Sequence, residues 1–284
     1  LTLTGTLDGA FALDLASTGV TTLAAEVGSN TKLANLTTNA GGSTVFEGTS
    51  LSVEGALTFG DEVTTAKESQ FTTAGGTVRF ANALTLGRGL GVDTTHGGAA
   101  AAGADLTFEG IIATDSGATD PFDLTLTAGT AGKVDAQEKV DAQAVTVVSA
   151  GGATFDASGN SLDSIAATVG TLGLTLRNSQ SLTVASGGIT SEGAVDVRTS
   201  AGDLTLEGAV GGPDSGDVLL AADANFINNE DSAVFDLPGG SRWLVYSTNP
   251  ADDTRGGLET IADFKQYDAG LSDPVRGGAD QNGL

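Results

Sequence analysis

The chain has 284 residues, with 12 Lys and Arg against 36 Asp and Glu, a formal charge of −24, 42 Gly, a single His, and neither Cys nor Met. Without cysteine there is no disulfide framework, thiol nucleophile or cysteine metal cluster, and one histidine excludes a multi-histidine zinc or iron site. So negative a charge argues against nucleic acid and anionic membranes, which need clustered Lys and Arg, and no run of about 18 apolar residues is present to span a bilayer.

In chain order, three-residue strand cores are predicted at Leu57-Thr58-Phe59, Val78-Arg79-Phe80, Leu84-Thr85-Leu86, Leu106-Thr107-Phe108, Leu124-Thr125-Leu126 and Val145-Thr146-Val147. They continue at Leu174-Thr175-Leu176, Leu182-Thr183-Val184, Val195-Asp196-Val197, Leu204-Thr205-Leu206 and Val218-Leu219-Leu220. Almost all read apolar, polar, apolar. That is period two, so two side chains point in and one points out. Between them stand turn signals: Gly41-Gly42, Gly75-Gly76, Gly97-Gly98, Gly151-Gly152, Gly187-Gly188 and Gly211-Gly212. No helical period holds over 12 residues; the best helix candidate, Ser161 to Val169, is short and β-branched at its end. Arg242 to Ser247 reads as the last strand and holds the only Trp. Beyond about residue 250 the chain turns polar, basic residues appear at Arg255, Lys265 and Arg276, and an irregular tail is expected.

Spacing adds the architecture. Leu174 to Val195 is 21 residues, Val195 to Val218 is 23, Leu182 to Leu204 and Leu84 to Leu106 are 22, and Leu124 to Val145 is 21. Leu106 to Leu124 is 18 and Leu57 to Leu84 is 27, so the repeat tolerates insertions. A period near 22 with several strands and no helix predicts a β-solenoid. The fold class is therefore all-β, a parallel β-helix of about 20–23 residues per coil. Residues 1–249 form the rod and 250–284 a polar tail or a linker to a further module. At about 4.8 Å per coil, some 11 coils give a rod of about 50 to 55 Å. Composition agrees: aromatics are 5% and charged residues 17%, so the columns are expected to use Leu, Val, Ala, Ile and a few Phe. Acidity and glycine also suit disorder; the ordered alternation decides against it. The chain opens at Leu1 with neither an initiator Met nor a signal-peptide pattern, which suggests a piece of something longer.

Chemistry is sparse. His96, in Asp93-Thr94-Thr95-His96-Gly97-Gly98, could act as a general base beside an aspartate, but reads better as a polar turn residue. Asp252-Asp253 is an adjacent aspartate pair, placed in the tail far from His96, whereas a glycosidase needs two carboxylates facing one sugar bond. Gly211-Gly212-Pro213-Asp214-Ser215-Gly216 departs from the calcium nonapeptide. Asp156-Ala157-Ser158-Gly159-Asn160 opens like an EF-hand loop, but Ser161 stands for the required Gly and Ala167 for the closing Glu. Gly87-Arg88-Gly89-Leu90-Gly91 lacks the Lys-Ser or Lys-Thr of a phosphate loop. The carboxylates are expected to form a solvated face that keeps rods apart. Trp243, Tyr246 and Tyr267 either cover the last coil or offer a sugar-stacking platform; the cover is favoured. No catalytic, cofactor-binding or metal-ligating residue is assigned, and no cofactor is expected.

Three stretches resemble the repeats of very large filamentous-haemagglutinin-like bacterial adhesins: Thr4-Gly5-Thr6-Leu7-Asp8-Gly9-Ala10, Leu36-Thr37-Thr38-Asn39-Ala40-Gly41-Gly42 and Gly55-Ala56-Leu57-Thr58-Phe59-Gly60-Asp61. Arg242-Trp243-Leu244-Val245-Tyr246-Ser247-Thr248-Asn249-Pro250, ahead of Phe264-Lys265-Gln266-Tyr267, is similar to the strand that closes the repeats in that family. The resemblance implies a right-handed parallel β-helix, secreted through an outer-membrane two-partner transporter and carried on the outer surface of a Gram-negative cell. The family's secretion domain has no match here, so export by that route is implied for the parent chain. The expected function is a non-enzymatic rod segment serving adhesion, aggregation or biofilm matrix, with a host-cell, neighbouring-cell or matrix polysaccharide receptor. The alternatives are a carbohydrate-binding or carbohydrate-cleaving β-helix and a calcium-ordered surface filament.

Overall fold

Residues that alternate apolar and polar make strands with one wet side, and a coil of such strands buries the dry sides against each other. The computed structural model describes residues 1–115, 122–267, 270–275, 278 and 280–284. Among these the regular structure is strand, apart from one 3-10 turn at Leu258–Thr260. The strands stack in parallel into a β-solenoid of about 11 turns with about 21 residues in each. At about 4.8 Å per turn the stack is about 50 Å long.

Three faces wind together at the start. The first keeps eleven strands, from Ala12–Leu15 to Trp243–Ser247. The second has six and ends at Ile112–Thr114. The third has eleven, running from Ser50–Val53 to Phe226–Asn228, with Val210–Gly211 and Phe235–Asp236 on a side branch. After Ile112–Thr114 the second and third faces merge. Asp141–Ala150, Ser161–Val169 and Leu182–Ser191 are strands of nine or ten residues that bend through irregular register instead of turning a corner. The first two contain no glycine to make that corner. Ser161–Val169, the helix candidate, is thus a strand, and its Leu162 and Ile165 are fully buried.

The core is two columns running along the first face. Register places Leu13, Leu36, Leu57, Val78, Leu106, Val134, Ala153, Leu174, Val195, Val218 and Trp243 above one another. Beside it run Phe59, Phe80, Phe108, Ala136, Phe155, Leu176, Val197, Leu220 and Val245. Each fully buried Leu, Val or Phe contributes roughly 1.5–3 kcal/mol. The interior is less purely aliphatic than composition suggests. Phe59, Phe80 and Phe108 stack with centroids 5.1 and 5.2 Å apart, and Phe71 meets Phe46 edge-on at 5.2 Å. Rings fit because successive coils place them at a stacking distance. The one Trp closes the long column.

All eleven predicted strand cores lie in strands. The spacings divide. Leu174–Val195–Val218, Leu182–Leu204 and Leu124–Val145 are true ladder partners. Leu84 and Leu106 are not: Leu84 pairs with Val63 and Ile112 on the second face, Leu106 with Val78 and Val134 on the first. The 18- and 27-residue steps likewise joined different faces. The long turns are Val78 to Leu106 and Leu106 to Val134, each 28 residues by register; the first carries the insertion that follows Asp93.

Of the double glycines, Gly42, Gly75, Gly97, Gly98, Gly188 and Gly211 take positive φ. Gly151-Gly152 does not, and Gly152 opens a strand. At Gly173 the need is steric as well: φ is +72°, and a Cβ would stand 2.0 Å from the Ala194 carbonyl oxygen one coil on.

The tail is irregular and fastened to the rod. Gly283 bridges Leu244 and Phe264, the Asn282 side chain accepts from the Trp243 N–H at 3.0 Å, Thr254 bridges Ile227, and Leu258 is fully buried. Arg276 lies outside the described residues.

Thr65 sits between Phe46 and Leu86 in register, fully buried, and its hydroxyl has no hydrogen-bond partner. Valine keeps the shape and removes an unsatisfied group. Thr65→Val is expected to stabilise the rod by about 1 kcal/mol, read as a higher urea midpoint. A lower midpoint would show that the hydroxyl is satisfied.

Candidate functional site

His96 stands at the tip of the insertion after Asp93, in left-handed conformation (φ +53°). Its Nε2 is 2.9 Å from the Lys32 ammonium, which also lies 3.4 Å from Glu54. The Asp93 carboxylate does not face the imidazole. It accepts from the Thr95 N–H and hydroxyl, both at 2.6 Å, and from the Gly97 N–H at 2.8 Å. Asp93 folds the loop; His96 closes it against Lys32. A general base needs an orienting partner and an open nitrogen, and this arrangement spends both. The loop borders an open groove of about 500 Å³ on the third face, with Ser52, Gln70, Thr72, Thr125 and Thr127 along it.

The other candidates are also built into the coil. Asp253 accepts from the Phe226 N–H at 2.8 Å and the Ser247 hydroxyl at 2.7 Å, while Asp252 holds Asn249. In the EF-hand-like stretch, Asn160 is fully buried; its carbonyl takes the Val140 N–H and its amide binds the Phe155 and Arg177 carbonyls. In the glycine stretch near residue 214, Ser215 is buried with its hydroxyl on the Gly193 carbonyl. Arg88 lies 5.4 Å over the Phe122 ring, a cation–π contact rather than a phosphate loop. Among the described residues no three His, Asp or Glu gather as metal ligands, and no helix is long and apolar enough to cross a membrane.

The acids do more than solvate the surface. Asp8 accepts from the Asn30 and Thr31 N–H groups, Glu26 from those of Thr49 and Ser50, Asp105 from Lys133, and Asp203 from Asn225. Each clamps a corner of one coil to the next. The Asn30 N–H holds the Asp8 carboxyl below its ordinary value. Burial pushes the Glu26 carboxyl up, and the hydrogen bonds from Thr49 and Ser50 outweigh it, leaving it lowered. Apolar-polar alternation hides these clamps, because their partners lie a coil away.

Ion pairs line the outer side of the first face. Arg79 grips Glu109 in two-pronged fashion at 2.6 and 2.5 Å, and Arg177 and Arg198 share Asp196. Hydrogen bonds from Arg79 lower the Glu109 carboxyl below its ordinary 4.5, against the opposing pull of burial. A lowered carboxyl stabilises the fold above the unfolded value and loses that contribution as pH falls through the folded one. The stability gap between the native chain and Glu109→Gln is expected to be constant above about pH 5 and to close below 4.5. Urea midpoints taken across pH 3 to 7 measure it, and a pH-independent gap would refute it.

Trp243 is covered, 3% exposed, and stacks on Phe235 at 5.1 Å. It caps the end, as expected. Tyr246 and Tyr267 instead line a cavity of about 380 Å³ between the last strand and the tail. No protein-family model, curated protein or solved structure matches the chain.

Proposed function

We propose that the chain is a non-catalytic rod segment of a secreted bacterial surface adhesin of the filamentous-haemagglutinin-like kind. On this reading the parent protein leaves the cell through an outer-membrane two-partner transporter and stands on the outer surface of a Gram-negative cell. The segment's task is mechanical: it sets distance and displays other modules to a cell or matrix receptor. The observation that carries the reading is the continuity of the two interior columns along one face, one across all eleven of its strands and the other across nine. Such a stack resists bending because its strands are hydrogen-bonded in parallel to those of the coils above and below. Commitment of Asp93 to hydrogen bonds within its own loop, and of Asp253 to hydrogen bonds that fasten the tail to the rod, supports a scaffold over a hydrolase.

Antibody raised against the 284-residue chain tests this on intact cells of the source organism. Surface labelling is expected, and so is its loss when the partner transporter is deleted. Label that appears only after lysis, or that survives the deletion, overturns the proposal.

A further inference from the structure

The cavity at the carboxyl-terminal end of the rod differs from the surface around it. Its volume, about 380 Å³, lies within the roughly 300–1,000 Å³ of small-ligand sites. Tyr246, on the last strand, is half-buried in its wall, and Tyr267 projects 64% exposed. Two cations, Arg255 and Lys265, line the same space, in a chain whose acids outnumber its bases 36 to 12. The one carboxylate side chain in the wall, Asp253, is 3.9 Å from Arg255, and its oxygens already take the Phe226 N–H and the Ser247 hydroxyl. Lys265 forms no ion pair among the described residues. The wall therefore offers cationic donors and tyrosine faces together.

That pairing suits a ring with an apolar face and a carboxylate at its edge. Tyr rings give area at low entropic cost, and Lys and Arg make charge-assisted bonds to a carboxylate. We propose that this cavity binds a uronic acid residue of an extracellular polysaccharide, with the carboxylate between Arg255 and Lys265 and the sugar ring on Tyr246 and Tyr267. The surface reading above supplies only the source of the polysaccharide; the chemistry stands on the cavity.

Calorimetric titration of the 284-residue chain with trigalacturonate, and with neutral galactotriose, is the test. Saturable binding of the acidic sugar alone is expected, weakening as sodium chloride is raised. Lys265→Gln and Tyr267→Ala should each weaken it about tenfold or more, with melting unchanged because both side chains are exposed. No saturable binding, equal binding of the neutral sugar, or indifference to both substitutions overturns the proposal. So does a doubled solution mass without sugar binding, which would place a second copy over the cavity. None of these results touches the rod or its labelling on cells, so the two proposals fail separately.

Discussion

Phe80→Ala is expected to cost the rod about 4 kcal/mol. Phe80 is 1% exposed and lies between Phe59 and Phe108, near-parallel to both at 19° and 8°, with Phe71 at 6.3 Å. Truncation removes a buried ring, opens a void the parallel strands cannot close, and breaks two stacked pairs worth about 0.5–1.5 kcal/mol each. Phe80→Leu keeps most of the volume and should cost much less. Because each coil contacts only its neighbours, the damage is expected to stay local. Amide exchange should rise around residues 57–108 and remain unchanged around 174–247. A loss under about 1 kcal/mol, or exchange rising evenly along the rod, would falsify the stacked-column account.

Asn178→Ala is the second large effect, about 3 kcal/mol. The merged strand Ser161–Val169 begins its pairing with the following coil at Ser164, leaving Leu162 beyond the ladder. The Asn178 side chain stands in for the missing strand. Its carbonyl accepts from the Leu162 N–H at 2.9 Å, and its amide donates to the Leu162 carbonyl at 2.9 Å and the Gln180 carbonyl at 3.0 Å. At 1% exposure no water replaces those bonds, and each orphaned buried group costs about 1–3 kcal/mol. Thr199 holds the aligned position one coil on, where its hydroxyl takes the Asp223 N–H and reaches the Gly202 carbonyl. Asn178→Thr should therefore recover part of the loss. Thermal melts of the two variants decide the matter, and equal losses would show that the amide's geometry is irrelevant.

How much of this is legible in the sequence depends on how local the cause is. Cores such as Leu57-Thr58-Phe59 and Leu204-Thr205-Leu206 are self-announcing, since alternation alone places their side chains. Leu84 and Leu106 mislead because the two faces carry similar apolar-polar-apolar text, and a distance along the chain does not say which face it ends on. The long strand over Asp141–Ala150 is written as an absence of glycine, which is weaker than a signal. The clamps at Asp8, Glu26 and Asp203 are invisible one coil at a time. The end cavity needs Tyr246, Arg255 and Tyr267 gathered by the folded-back tail, which no motif foretells. Trp243 is the exception: a lone bulky ring in a chain of small residues reads as a lid, and it is one.

Dependence of each coil on its neighbours also sets how the molecule yields to pulling. A globule under tension gives way at once, whereas a wound thread unspools. Each coil of about 21 residues that detaches pays out about 70 Å of chain, more than the whole stack's resting height. A tether of this build would absorb a tug by lengthening in instalments, and the Asn178 and Phe80 coils would be the catches that hold longest.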